Sequence, residues 1–150
     1  MDLIQKQRAT VAEHIRLENE QKWSEVPRTL VQDSRAFYDF VPVGQFKGTE
    51  GVQQLYQIIG SAFSNLRIDV AAEYDMPGCS IREGVITATH TGDYMGVPAS
   101  GNSVRGAFAA FFVFDAATGE MLGERLYLDH GAMLQQLQTK NVAAASKCVK

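Results

Sequence analysis

The chain has too few cysteines to be stapled: Cys79 and Cys148 can form at most one bond, so packing rather than a disulfide framework must hold the fold. Reduced thiols in a cytoplasmic protein are the plain reading. No lysine- or arginine-rich run is present, and the net charge of −3 with a pI near 5.6 excludes a nucleic-acid or anionic-membrane surface as the partner. No apolar run approaches membrane-span length, and the opening Met-Asp-Leu-Ile-Gln-Lys-Gln-Arg lacks the apolar stretch of a signal peptide. The expectation is a cytoplasmic location with no membrane contact. The three histidines show no zinc spacing, and there is no Gly-x-Ser-x-Gly elbow, phosphate loop or dinucleotide fingerprint. The expected site therefore holds no cofactor and no metal.

What remains is ordinary globular material: 150 residues, 45% apolar and 21% charged, enough for one core and too little for two. Leu3 to Trp23 is rich in helix formers and free of Gly and Pro. A short helix is predicted over Glu25 to Val31, and two paired strands around the Val41-Pro-Val-Gly44 turn. Thr49 is placed as an N-cap, after which Val52, Leu55, Tyr56, Ile59 and Phe63 keep the spacing of a helix lying on a sheet. Strands follow over Leu66–Tyr74, Cys79–Arg82 with Val85–Thr91, Ser103–Phe114 and Met121–Leu128, then a helix near His130–Leu137. Helices followed by antiparallel strands define an α+β domain over 1–138, with a frayed tail over 139–150. Ser103–Phe114 is apolar on both parities, so the helices are expected to cover one face and a second subunit the other, as a homodimer through the sheet.

Two residues stand out as candidate chemistry. His90 ends an alternating strand, shares its face with Ile86 and Ala88, and precedes a glycine-rich loop (Gly92, Gly96, Gly101) of the kind that rims pockets. A histidine tied to a backbone carbonyl would look the same. Asp129 lies where the last strand meets the last helix, which equally suits an N-cap. Strand parity groups it with Arg125 and Tyr127, and an inward-facing carboxylate at a pocket mouth would suit proton transfer. Tyr127, His14, Trp23, Arg105 and Phe63 are the remaining candidates for the pocket. Arg105 is a lone cation in an apolar strand, free to pair with Glu124 or to meet an anionic substrate.

The element order, together with Thr89-His-Thr-Gly92, Gly96-Val-Pro98, Tyr127-Leu-Asp129 and Leu134-Gln-Gln-Leu137, resembles the SnoaL-like polyketide cyclases of the nuclear-transport-factor-2-like (NTF2-like, cystatin-like) superfamily. The likeness runs from about Val11 to Gln138; Gln138 departs from the glycine usual there, a change that concerns the helix stop. The resemblance implies a cone-shaped α+β barrel with a curved antiparallel sheet around an apolar pocket. It also implies a cofactor-independent intramolecular aldol ring closure on a small, polyketide-like carbonyl substrate. Asp129 would be the acid/base group and His90 its pocket partner. The same fold hosts small-molecule isomerases and hydrolases and non-catalytic ligand-binding modules, and these stand as alternatives.

Overall fold

The computed structural model describes residues 2–139; the expected frayed tail falls, from residue 140 on, outside them. Helix α1 spans Leu3–Asn19 and opens with a capping box. Gln5 N–H donates to the Asp2 carboxylate (2.8 Å) and Asp2 N–H to the Gln5 side-chain oxygen (3.1 Å). It stops short of Trp23 because the chain turns at Gln21, whose φ is 59°. The predicted second helix is a single 3-10 turn, Val26–Thr29. Strands β1 (Phe37–Val41) and β2 (Gly44–Lys47) form the expected hairpin. Helix α2 (Gly48–Ala62) buries Val52, Leu55 and Tyr56, three of the residues its periodicity selects. Thr49 is not its cap: Lys47 holds that position without a side-chain bond, and the Thr49 hydroxyl points to the Asp33 carbonyl (3.5 Å).

Four longer elements finish the fold: β3 (Phe63–Met76), β4 (Cys79–His90), β5 (Ser103–Phe114) and β6 (Met121–Leu128), with α3 over His130–Gln138. The strand order is β2-β1-β6-β5-β4-β3. The all-antiparallel expectation is corrected at one seam, since β1 runs parallel to β6. These two strands are distant in sequence, so no hairpin dictates their relative direction. Between β3 and β4 the register slips at Ser64/Arg67 and again at Val70/Ala72, and such bulges bend a sheet. Gly84 lies opposite the second slip, where an added Cβ would run into the Asp69 carbonyl.

The concave side carries the core. Alternation turns Phe108, Ala110, Phe112 and Phe114 of β5 and Leu126 of β6 onto α1 and α2. A second cluster, Phe63, Ala88, Tyr94, Val104, Met133 and Leu137, fixes α3 at the other end of the sheet. Helix α1 is also tied to β3, an edge strand, by side-chain amides that imitate a neighbouring strand. Asn19 accepts from Ile68 N–H (2.7 Å) and donates to its carbonyl (3.1 Å), and Gln21 does the same with Leu66 (3.2 and 2.7 Å). Among the described residues no helix is long and apolar enough to cross a membrane.

Candidate functional site

One cluster of titratable groups lies sealed inside this frame. His14 has no exposed surface, and Glu18, one helical turn on, Glu124 of β6 and Tyr56 of α2 converge on it. Its Nε2 stands 2.6 Å from Glu18 Oε1, 2.9 Å from the Tyr56 hydroxyl and 3.3 Å from Glu124 Oε2. The Tyr56 hydroxyl reaches both carboxylates, at 3.2 and 3.3 Å. On the far side of the ring, Nδ1 lies 2.6 Å from Thr29 Oγ1, which donates to the Val26 carbonyl (2.7 Å). That hydroxyl proton is already used, so Nδ1–H is the donor to Thr29, and Nε2 faces the acids.

The electrostatics follow from this geometry. Burial disfavours a charged imidazole, but Glu18 and Glu124 outweigh it and push His14 up to about 10. Burial raises Glu124 above the usual carboxylate range, and the adjacent Glu18 charge adds to the effect. Tyr56 and Tyr38 are raised well above an ordinary phenol, first by burial and then by the same two carboxylates. The result is an imidazolium, two carboxyl groups and a phenol sharing protons away from water.

His14, Glu18 and Glu124 can each present one ligand atom, all within 4.8 Å of one another, which is the composition of a divalent-cation site. The spacing argues for a proton instead. Donors on one tetrahedral zinc ion stand roughly 3.3 Å apart, given metal–ligand bonds near 2.0 Å. The 2.6 Å between Nε2 and Glu18 is a charge-assisted hydrogen bond.

Glu18, Tyr38 and Glu124 also line an internal cavity, together with Ile68, Ile86, Phe108 and Leu126. Its volume is about 30 Å³, room for roughly one water. The deep apolar pocket expected from the resemblance is narrowed here to this small space by its own apolar side chains. Larger hollows lie outside: a 560 Å³ cleft between α1 and the 3-10 turn, and a 410 Å³ groove between α1 and β3.

The structure separates the two residues expected to work together. Asp129 is exposed, and its carboxylate accepts Ala132 N–H (3.0 Å) as the N-cap of α3. His90 is fully buried, and its Nδ1 meets Ser100 Oγ (2.9 Å) and Ser100 N–H (3.3 Å), pinning the glycine-rich loop. His90 pairs through its backbone with Asn102, whereas Asp129 follows Leu128, the partner of Phe108. Along β5 that is a separation of roughly 17 Å at about 3.4 Å per residue. The expectation of an inward-facing Asp129 partnered by His90 is corrected on this geometry.

The pocket candidates fare unevenly. His14 is at the centre of the cluster. Trp23 stacks behind Tyr56, with centroids 6.3 Å apart, and Phe63 belongs to the second core cluster beside His90. Tyr127 is 44% exposed and packs edge-on against Phe111 of the outer face. Arg105 is exposed and unpaired with Glu124; its backbone exchanges hydrogen bonds with the Gln136 side chain (2.7 and 2.9 Å). The parity that groups Arg125, Tyr127 and Asp129 is real, but it is the outward one. Glu124 shares the inward parity with Leu126 and Leu128, and that acid on an apolar strand face was the legible signal for it. The corresponding signal for Glu18 was its four-residue spacing from His14.

Comparison with known proteins adds a family and a fold. The SnoaL-like polyketide cyclase family model matches residues 7–137. No match to a curated protein was found. Among solved structures, a protein from Jannaschia sp. CCS1 described as a SnoaL-like polyketide cyclase superposes with a TM-score of 0.80 at 18% identity, over 94% of this chain and 97% of that one. AclR from Streptomyces galilaeus, described as a hydroxylase, gives 0.75 at 18% identity over 90% and 97%. A protein from Catenulispora acidiphila with a ketosteroid isomerase-like fold, crystallised with trimethylamine, gives 0.71 at 12% identity over 86% and 92%. At these identities the structures speak for the α+β cone alone.

Proposed function

This chain belongs to the SnoaL-like polyketide cyclase family, and from that premise we propose that it is an acid/base enzyme acting on an enolisable carbonyl compound inside the cone. The observation that carries the reading is the buried His14–Glu18–Glu124–Tyr56 cluster, two of whose acids form part of the cavity wall. A carbon flanked by two carbonyls is acidic enough to lose a proton to a carboxylate without a cofactor. Glu124 is the base: burial, with the Glu18 charge beside it, raises it above the usual carboxylate range and so makes it a stronger proton acceptor. The enolate carbon attacks a second carbonyl of the same chain, forming a C–C bond as the carbonyl π bond opens. The new alkoxide takes back the proton from Glu124, so the ring closure is proton-neutral. Tyr38 and Tyr56, held protonated, are the donors for the developing oxyanion, and the His14 imidazolium stands against Glu18 beside them.

The closed cavity favours a second reading, a small-molecule isomerase or hydrolase. A space of about 30 Å³ holds one water within reach of Glu18 and Glu124, and a polyketide must displace Ile68, Ile86 or Phe108 to enter. Deuterium incorporation from solvent into an α-substituted β-keto ester tests the shared chemistry, and Glu124→Gln should slow it by about 10²–10⁴-fold with the fold retained. Exchange without ring formation on a tethered diketone selects the isomerase. Unchanged exchange in Glu124→Gln would remove the cluster from the chemistry, and tight ligand binding without any turnover selects a plain binding module.

A homodimer through the convex face of the sheet completes the proposal. Phe111, Val113, Ala107 and Ala109 of β5, Ile81 and Val85 of β4 and Tyr127 of β6 form an apolar, at least partly exposed patch on that face, edged by Glu83, Arg105 and Arg125.

A further inference from the structure

His14 spans a wall. One ring nitrogen faces the acids of the cavity, and the other faces Thr29, whose side chain is half-exposed and lines the 560 Å³ cleft with Thr10, Glu13, Glu25 and Arg28. No exposed atom of the imidazole connects it to water. Glu18 of α1, Tyr56 of α2 and Glu124 of β6 close its inner side, and Phe112 of β5 packs edge-on at 5.4 Å. The Glu18 and Glu124 side chains keep only 9% and 5% of their surface, so Thr29, at the wall of the cleft, is the polar neighbour of this ring with the open path to solvent.

We propose that Thr29 is the proton port of the buried cluster, exchanging protons between the outer cleft and His14 while the cavity stays closed. This rests on the acid/base reading above. The step balances atom by atom. The hydroxyl turns from the Val26 carbonyl to a water in the cleft and gives up its proton there, while its oxygen takes the Nδ1 proton. The ring is left neutral with its proton on Nε2 towards Glu18, and the reverse path recharges it. The Nδ1–Oγ1 contact of 2.6 Å is short enough for the first transfer, and the 2.7 Å bond to the Val26 carbonyl is the resting contact that the hydroxyl leaves when it turns to the cleft. Ring closure itself is proton-neutral, so the port serves to equilibrate the cluster with the cleft and to reset it when a turnover consumes a water, without admitting bulk solvent to the site. Thr29 is a positioning residue in this scheme and touches no substrate.

Nitrogen-15 NMR of the full chain tests the port without needing a substrate. His14 is expected to show both ring N–H signals, with Nδ1–H exchanging with water faster than Nε2–H. Thr29→Val should slow Nδ1–H exchange by roughly tenfold or more while α1 amide protection is unchanged, and Thr29→Ser should restore the wild-type rate. Equal exchange in Thr29→Val, or an Nδ1 that carries no proton, overturns the port. Neither result touches the acid/base reading, which stands or falls on deuterium incorporation by Glu124→Gln.

Discussion

A fully buried imidazole between two carboxylates ties the stability of this protein to pH through one residue. His14 is raised from 6.5 to about 10, so its stabilisation is complete below pH 6.5 and is lost as the pH rises through about 10. Between those limits the folded chain holds a proton that the unfolded chain has released. Unfolding free energy should therefore fall with pH by up to about 1.4 kcal/mol per unit. Glu124, also raised, adds the same sign over its own window from 4.5 upward. Urea unfolding across pH 7 to 10 should show this slope in the wild type and a flatter one in His14→Gln. Asp129 offers the contrasting residue. As a cap it should cost about 0.5–2 kcal/mol when changed to Ala and almost nothing when changed to Asn, with deuterium incorporation intact in both. A folded Asp129→Asn protein without activity would return that carboxylate to the chemistry. The sequence offers Asp129 and His14 alike as polar candidates for one pocket. It does not say which one the fold encloses, because enclosure depends on which sheet face the helices choose.

At the level of elements, the free edge of β3 is the feature with consequences. Asn19 and Gln21 supply two donors and two acceptors to Leu66 and Ile68, close to the first register slip, so the end of α1 serves that edge as a partial neighbouring strand. Replacing both amides by Ala should destabilise the chain by about 1–3 kcal/mol, and hydrogen exchange at the Leu66 and Ile68 amides should rise. Unchanged protection there would mean that water replaces the amides without loss. Gln7 does similar work at the other end of the helix, reaching the Met76 carbonyl (3.0 Å), Gly78 N–H (2.9 Å) and Ser80 Oγ (3.2 Å). Periodicity reads α2 correctly and separates the two faces of β5 and β6, because burial of a face repeats with the backbone's own period. It does not say which face is inward: the β6 face of Arg125, Tyr127 and Asp129, expected at the pocket, is the outer one. The end of α1 and the continuity of β3 through its bulges are not legible that way. They depend on side chains bonding to backbone more than forty positions away.

The whole molecule brings its polar core to the concave side of the sheet and leaves on the convex side an apolar patch around Phe111, Val113 and Tyr127, edged by Glu83, Arg105 and Arg125. If that convex face joins two copies, sedimentation should give twice the chain mass, and Phe111→Lys with Tyr127→Glu should give a folded single chain with the His14 cluster undisturbed. A wild-type protein that sediments as a single chain at high concentration would remove the dimer. Several things were determined by the sequence alone: an α+β chain, the burial of His90 on an apolar strand face, a β5 strand apolar on both faces, the main helix, and the family motifs. All of these are local patterns or short strings, written by the period of helix and strand. Only tertiary structure decided that β1 lies parallel to β6, that Asp129 turns outward to a helix end, and that His14, Glu18, Tyr56 and Glu124 meet. Those four come from α1, α2 and β6, across sequence distances of up to about a hundred residues. No local periodicity carries such a distance; the curvature of the sheet around the two helices does.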